Sequence, residues 1–227
     1  MRHLREFKLF ESEKTIDSIC QEYGIKDYTI NDDGSIDTNR FTLYQTNLDK
    51  LPLRFNKVSR SFLCYHNQLR SLEGCPKFVG WDFYCNNNKL TSLEGCPASV
   101  GNIFYCNDNL LSSLEGCPES INKHFGCHNN KLTSLEGCPK FVGGNFECDN
   151  NQIRDFKGFP EYFGGRLLID NNPVHNIYKL FNDPSKITLF NEYDIIRGNE
   201  IILDRLNDFL NEVGKPEVSE VAEYICI

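Results

Sequence analysis

The sequence predicts an α/β-type repeat solenoid: a parallel concave sheet of about seven short strands, with helical caps at both ends. Three observations carry this expectation. Aligned with itself at an offset of 21 residues, the chain superposes Phe41, Phe62, Phe83, Phe104, Phe125, Phe146 and Leu167 without a slip in register. Two residues after each stands a second apolar residue, Leu43, Cys64, Cys85, Cys106, Cys127, Cys148 or Ile169, so every unit opens on a period-two alternation. Three residues further on, asparagine recurs at Asn67, Asn88, Asn109, Asn130, Asn151 and Asn172, and Thr46 alone departs from the column.

Each part of the unit has a physical reason. In Phe83-x-Cys85 the alternation turns two side chains inward and sends Asp82, Tyr84 and Asn86 to the other face of a short strand. One such strand cannot bury itself, but stacked units convert the strands into a sheet. The asparagine marks the exit from the strand, where its amide can bond backbone groups that the turn leaves buried. Leu69, Leu90, Leu111, Leu132, Ile153 and Val174, and three residues later Leu72, Leu93, Leu114, Leu135, Phe156 and Ile177, fill the space behind the sheet. Gly-Cys-Pro at Gly74, Gly95, Gly116 and Gly137, with Gly-Phe-Pro at Gly158, is a turn segment expected on the convex side.

The order Phe-x-Cys-x-x-Asn-x-Leu-x-x-Leu resembles the leucine-rich-repeat signature, with Phe and Cys in place of its first two leucines. The resemblance covers residues 41–178 in seven units and implies that family's solenoid and its role in macromolecular binding. The short unit and proline-bearing turn look like the bacterial class. The wording Leu-Thr-Ser-Leu-Glu-Gly-Cys-Pro, at Leu90 to Pro97 and Leu132 to Pro139, is similar to repeat proteins encoded by large tailed bacteriophages.

The flanks read as caps for the ends of the core. In residues 1–40, the stretch Thr15 to Tyr23 has helical spacing at Ile16, Ile19 and Cys20, and Asp33-Gly34 between apolar runs signals a tight hairpin. In residues 179–227, Glu200 to Val213 carries a helical stripe at Ile202, Leu203, Leu206, Phe209, Leu210 and Val213. The chain from Ser219 onward is expected to form a second short helix with Val221, Ile225 and Ile227 inward.

Composition narrows the partners. Net charge is -8, from 24 Lys plus Arg against 32 Asp plus Glu, the wrong sign for tracking phosphates, so nucleic acid is disfavoured. No apolar run approaches the roughly 18 residues that span a bilayer, and the first 14 residues alternate charges rather than offering a signal-peptide core. Together with eleven cysteines, an odd count, and no Asn-x-Ser/Thr acceptor, this reads as a cytoplasmic protein, in the host cytoplasm if phage-encoded.

Candidate chemistry resolves into structure. The cysteine columns, including Cys75, Cys96, Cys117 and Cys138, lack a companion histidine column and read as small buried hydrophobes rather than a zinc site. His124 and His128 lie too far apart along a strand to share one ion easily. Cys106-Asn-Asp108 and Cys148-Asp149 resemble the nucleophile of bacterial repeat-bearing ubiquitin ligases, but both cysteines occupy core positions. Asp32-Asp33-Gly34 with Asp37 lacks the ligand spacing of a calcium loop. Trp81 reads equally as a binding anchor or as a partly buried side chain. No catalytic, cofactor or metal residue is expected.

The expected site therefore sits between the regular columns, on the outward face of the strands. Tyr44, Leu63, Tyr65, Tyr84, Ile103 and Tyr105 are the predicted contact patch, and Glu147, Asp149 and Asp170 the acidic end that orients a partner. The function expected is non-enzymatic binding of a partner protein, and the phage resemblance implies a phage protein engaging a host protein. The alternative is a structural piece of a larger assembly or a self-assembling homo-oligomer, without a dedicated ligand on that face.

Overall fold

The computed structural model describes residues 14–227; residues 1–13, the start of the expected N-terminal cap, lie outside the described residues. The repeats form a solenoid around one continuous core. Its front sheet holds seven parallel strands, from Phe41–Thr42 through Phe62–Leu63, Phe83–Tyr84, Phe104–Tyr105, Phe125–Gly126 and Phe146–Glu147 to Leu167–Leu168. Strands pair phenylalanine against phenylalanine, so equivalent residues of successive units stack directly.

That register turns the phenylalanine column into a spine. Successive ring centroids from Phe41 to Phe146 stand 4.7, 5.9, 5.1, 5.5 and 6.0 Å apart, and the rings are buried. Full burial of each such side chain is worth roughly 1.5–3 kcal/mol.

The asparagine column forms a second ladder. Asn109 Nδ2 donates to the carbonyls of Cys85, Cys106 and Asn107 at 3.1, 3.1 and 3.2 Å, while its Oδ1 accepts from Leu90 N at 3.0 Å. Asn88, Asn130, Asn151 and Asn172 repeat the pattern. Each amide thus ties its own unit to the one before it. The residue just before each asparagine, from His66 and Asn87 to Asn171, takes a left-handed conformation with φ between 52° and 54°. Asn and Asp, which fill most of these positions, tolerate that region better than other side chains do.

A second, rear sheet of eight strands adds to the expected architecture. Tyr28–Ile30 opens it antiparallel to Ile36–Thr38, and Phe55–Val58, Phe78–Val79, Ser99–Val100, Ser120–Ile121, Phe141–Val142 and Tyr162–Phe163 follow in parallel. The chain leaving the Gly-Cys-Pro turn therefore pairs again, turning Val58, Val79, Val100, Ile121 and Val142 inward. Phe41, Phe55 and Phe62 meet at 4.5–5.1 Å, so both sheets share the core. A tight corner joins them: a Cβ on Gly101 would stand 2.0 Å from the Gly80 carbonyl oxygen.

The thiols behave as core. Cys64, Cys85, Cys106, Cys127 and Cys148 are buried, and burial pushes their thiols, and those of the Cys75, Cys96, Cys117 and Cys138 column, well above the ordinary range. Titration with a thiol-specific chromogen is expected to leave the strand-column cysteines unreactive until denaturant is added. Rapid reaction of all of them in the native protein would contradict this packing.

The ends differ in construction. At the N-terminal end, helix α1, Ile16–Glu22, is capped by Thr15 and buries Cys20, ahead of the hairpin. At the other end α2, Pro173–Phe181, carries the last repeat positions Val174 and Ile177 into the core; α3, Ile187–Glu192, and α4, Leu203–Glu212, follow. Phe156, Phe181, Phe190 and Phe209 close the core, edge to face except for the stacked pair Phe181–Phe190, and α4 buries Leu206, Phe209 and Leu210 of its predicted stripe.

Two expectations fail here. Glu200–Ile201 is a strand rather than the start of α4, paired with Ile196–Arg197 across Gly198-Asn199. The segment from Ser219 is not a helix: Ile225–Cys226 adds in parallel to Glu200–Ile201, leaving Ile225 and Ile227 exposed while Val221 is buried. Ile227 N donates to Ile201 O, and Leu203 N to Ile227 O, pairing an edge that a helix would have left open.

Candidate binding face

The outer face of the front sheet brings the predicted residues together, though not in the single column their order suggests. Tyr44 and Tyr65 stand three residues after their phenylalanines, while Tyr84 and Tyr105 stand one after. The row is continuous nonetheless. Tyr44 and Tyr65 stack at 5.4 Å and 7°, Tyr65 meets Tyr84 edge to face at 6.2 Å, and Tyr84 and Tyr105 lie 5.2 Å apart at 32°. The edge-to-face contact is the step between columns.

Stacking changes what these rings present. Tyr44, at the open end, is 48% exposed, whereas Tyr65, Tyr84 and Tyr105 are half-buried. Faces are spent on neighbours, so the row offers ring edges and hydroxyls, an amphipathic ridge rather than a set of flat platforms. Burial, helped by the Asp82 carboxylate, pushes the Tyr84 phenol up to about 12. Burial and Glu147 raise that of Tyr105, so both are neutral hydrogen-bond donors at physiological pH. Leu63 and Ile103 flank the row, each partly buried.

The acidic end follows on the same sheet. Glu147 and Asp149 are half-buried and Asp170 is exposed. Asp149 accepts from Asn150 Nδ2 at 2.6 Å, and Asp170 lies 3.3 Å from His175 Nε2. Glu147 Oε2 stands 3.8 Å from His128 Nδ1. His124 is otherwise engaged, its Nδ1 accepting from Asn145 N at 2.9 Å.

The other candidate positions have local partners. Asp33 Oδ1 accepts from Ser35 N and Oγ at 2.9 and 2.6 Å, a turn contact that holds its carboxyl below the usual range. Among the described residues no group of three or more His, Cys, Asp or Glu is placed to hold a metal ion, and no helix is long and apolar enough to cross a membrane.

The rear sheet carries residues the sequence reading missed. Phe78, Phe141 and Tyr162 project outward at 39%, 40% and 53% exposure, and Phe141 stacks on Tyr162 at 5.0 Å. Trp81, at the corner, is 49% exposed beneath the Arg60 guanidinium 5.2 Å from its centroid. The available signal was the inward column Val58, Val79, Val100, Ile121 and Val142 at the repeat spacing, which marks a second strand in every unit.

Compared with protein-family models, with curated proteins and with solved structures, the chain matches none.

Proposed function

We propose that this chain is a non-enzymatic protein-binding module of the leucine-rich-repeat type, taking its partner on the outer face of the front sheet. The observation that carries the reading is the continuous tyrosine row from Tyr44 to Tyr105, bordered by Leu63 and Ile103. Such a row costs little further ordering on binding, because stacking already restricts its rings, and it offers apolar edges with phenol donors. Glu147, Asp149 and Asp170 at one end fix the direction in which a partner lies. The resemblance of the repeats to phage-encoded proteins supports action in the cytoplasm of an infected bacterium on a host protein.

The double substitution Tyr65→Ala plus Tyr84→Ala is expected to weaken partner binding by about 2 kcal/mol or more, roughly thirtyfold. The check is affinity capture from bacterial lysate with wild type and double mutant side by side, then calorimetry on any protein that only the wild type enriches. Equal enrichment by a correctly folded double mutant would sink the proposal.

A self-assembling scaffold is the second reading, favoured by exposed Phe78, Phe141 and Tyr162 on the rear sheet. Light scattering on the same samples separates the two. A mass above one chain that falls to one chain on Phe141→Ser plus Tyr162→Ser supports the scaffold.

A further inference from the structure

We propose that the end of the tyrosine row, between Tyr105 and Glu147, is a subsite for an arginine side chain of an extended partner segment; this rests on the protein-binding reading. In the column of Tyr84 and Tyr105 the next rung carries Gly126, and the one after it Glu147. The stack therefore stops. Tyr105 has Tyr84 as its one ring neighbour among the described residues, and it leans over the glycine: a Cβ on Gly126 would stand 2.7 Å from Tyr105 Cδ1 and 3.5 Å from His128 Nδ1. The ring face turned away from Tyr84 has no aromatic partner.

Beside that face stands a largely enclosed carboxylate that makes no side-chain hydrogen bond among the described residues. The Glu147 side chain is only 17% exposed, and its one ionisable partner within 4.0 Å among the described residues is His128, at 3.8 Å. That separation is too long for a hydrogen bond. The two enclosed side-chain polar atoms without a hydrogen-bond partner among the described residues are His128 Nδ1 and Asn86 Oδ1. His128 Nδ1 stands beside Glu147, whereas Asn86 Oδ1 lies two rungs away in the same column and is closed to solvent. A carboxylate beside an aromatic face favours a planar cation with several donors, which is the guanidinium. Stacked on Tyr105, it would donate to Glu147. Asp149 and Asp170 further along the face add the same sign of potential.

The probe is N-acetyl-arginine amide, titrated into the full chain while the Gly126 amide and Tyr105 ring resonances are followed by NMR, with neutral N-acetyl-citrulline amide as its near-isosteric control. Saturable shifts with the arginine probe are expected, weaker by on the order of tenfold for citrulline and for Glu147→Gln. Gly126→Ala, which displaces the Tyr105 ring, should abolish them with the far-ultraviolet spectrum unchanged. Equal shifts with both probes, full binding by Glu147→Gln, or no response at Gly126 and Tyr105 would each overturn the subsite. Partner capture that depends on Tyr65 and Tyr84 but not on Glu147 removes the arginine subsite and leaves the binding module. A saturable arginine response with capture indifferent to the tyrosines does the reverse.

Discussion

Replacing Asn109 by alanine is expected to lower the unfolding free energy by roughly 4 kcal/mol, more than polar substitutions outside the asparagine column. The side chain makes four hydrogen bonds inside the solenoid, three as donor and one as acceptor. Their losses are unequal. The Cys85 and Cys106 carbonyls also accept from Asn88 and Asn130, at 3.0 and 3.2 Å, and so retain a partner. Leu90 N–H loses its side-chain acceptor in a buried setting, and an unsatisfied buried donor costs about 1–3 kcal/mol by itself. The vacated volume adds to that.

Because each unit touches only its neighbours, a weakened central rung also uncouples the two halves of the array. Urea unfolding should therefore show a shallower slope as well as a lower midpoint. A loss below about 1 kcal/mol would mean that water reaches this column. Gln68→Ala, outside the ladder on a partly exposed position, serves as the control with little change.

Phe104→Ala is expected to cost about 3–5 kcal/mol. The ring is 0% exposed and lies between Phe83 at 5.1 Å and Phe125 at 5.5 Å, so truncation opens a void in the middle of the spine. Backbone pairing on both sides, from Phe104 N to His124 O at 3.0 Å and from Phe83 N to Ile103 O at 2.9 Å, resists collapse into that void. For a chain of this size the loss corresponds to a fall in melting temperature of roughly 10 °C. Phe104→Leu should recover most of it by refilling volume. Tyr105→Ala, one residue away but on the outer face, should shift the melting temperature far less, and comparable losses at 104 and 105 would contradict the assignment of inward and outward faces.

The contrast between these two neighbours shows how legible the chain is. Inward residues recur at a fixed spacing because each rung repeats the same steric problem, so Phe104, Cys106, Asn109 and Leu111 can be assigned by comparison with the rungs on either side. Outside the repeats, α1 and the Asp33-Gly34 hairpin are legible because their signals, helical spacing and a turn dipeptide, are local. Phe78–Val79 and its equivalents are marked only by their inward aliphatic column, since a two-residue strand has no alternation of its own and its outward residue varies among Phe78, Ser99, Ser120 and Phe141. No such signal marks Ile225–Cys226, whose conformation is set by a partner strand far back in the chain at Glu200–Ile201.

The candidate face divides in the same way. Which residues point outward followed from the alternation along each strand, and that placed Tyr44, Tyr65, Tyr84, Tyr105, Glu147, Asp149 and Asp170 on one surface. Their contacts depended on the pairing register between strands and on ring orientation, which no single unit encodes. The sequence by itself determined the repeat, the front sheet and the buried columns, because identical side chains at identical spacing must meet when units stack. Only the tertiary structure decided that a second sheet closes the core, that the tyrosines join across two columns, and that their row ends over Gly126 beside Glu147, because each of these is a contact between units rather than a property of one.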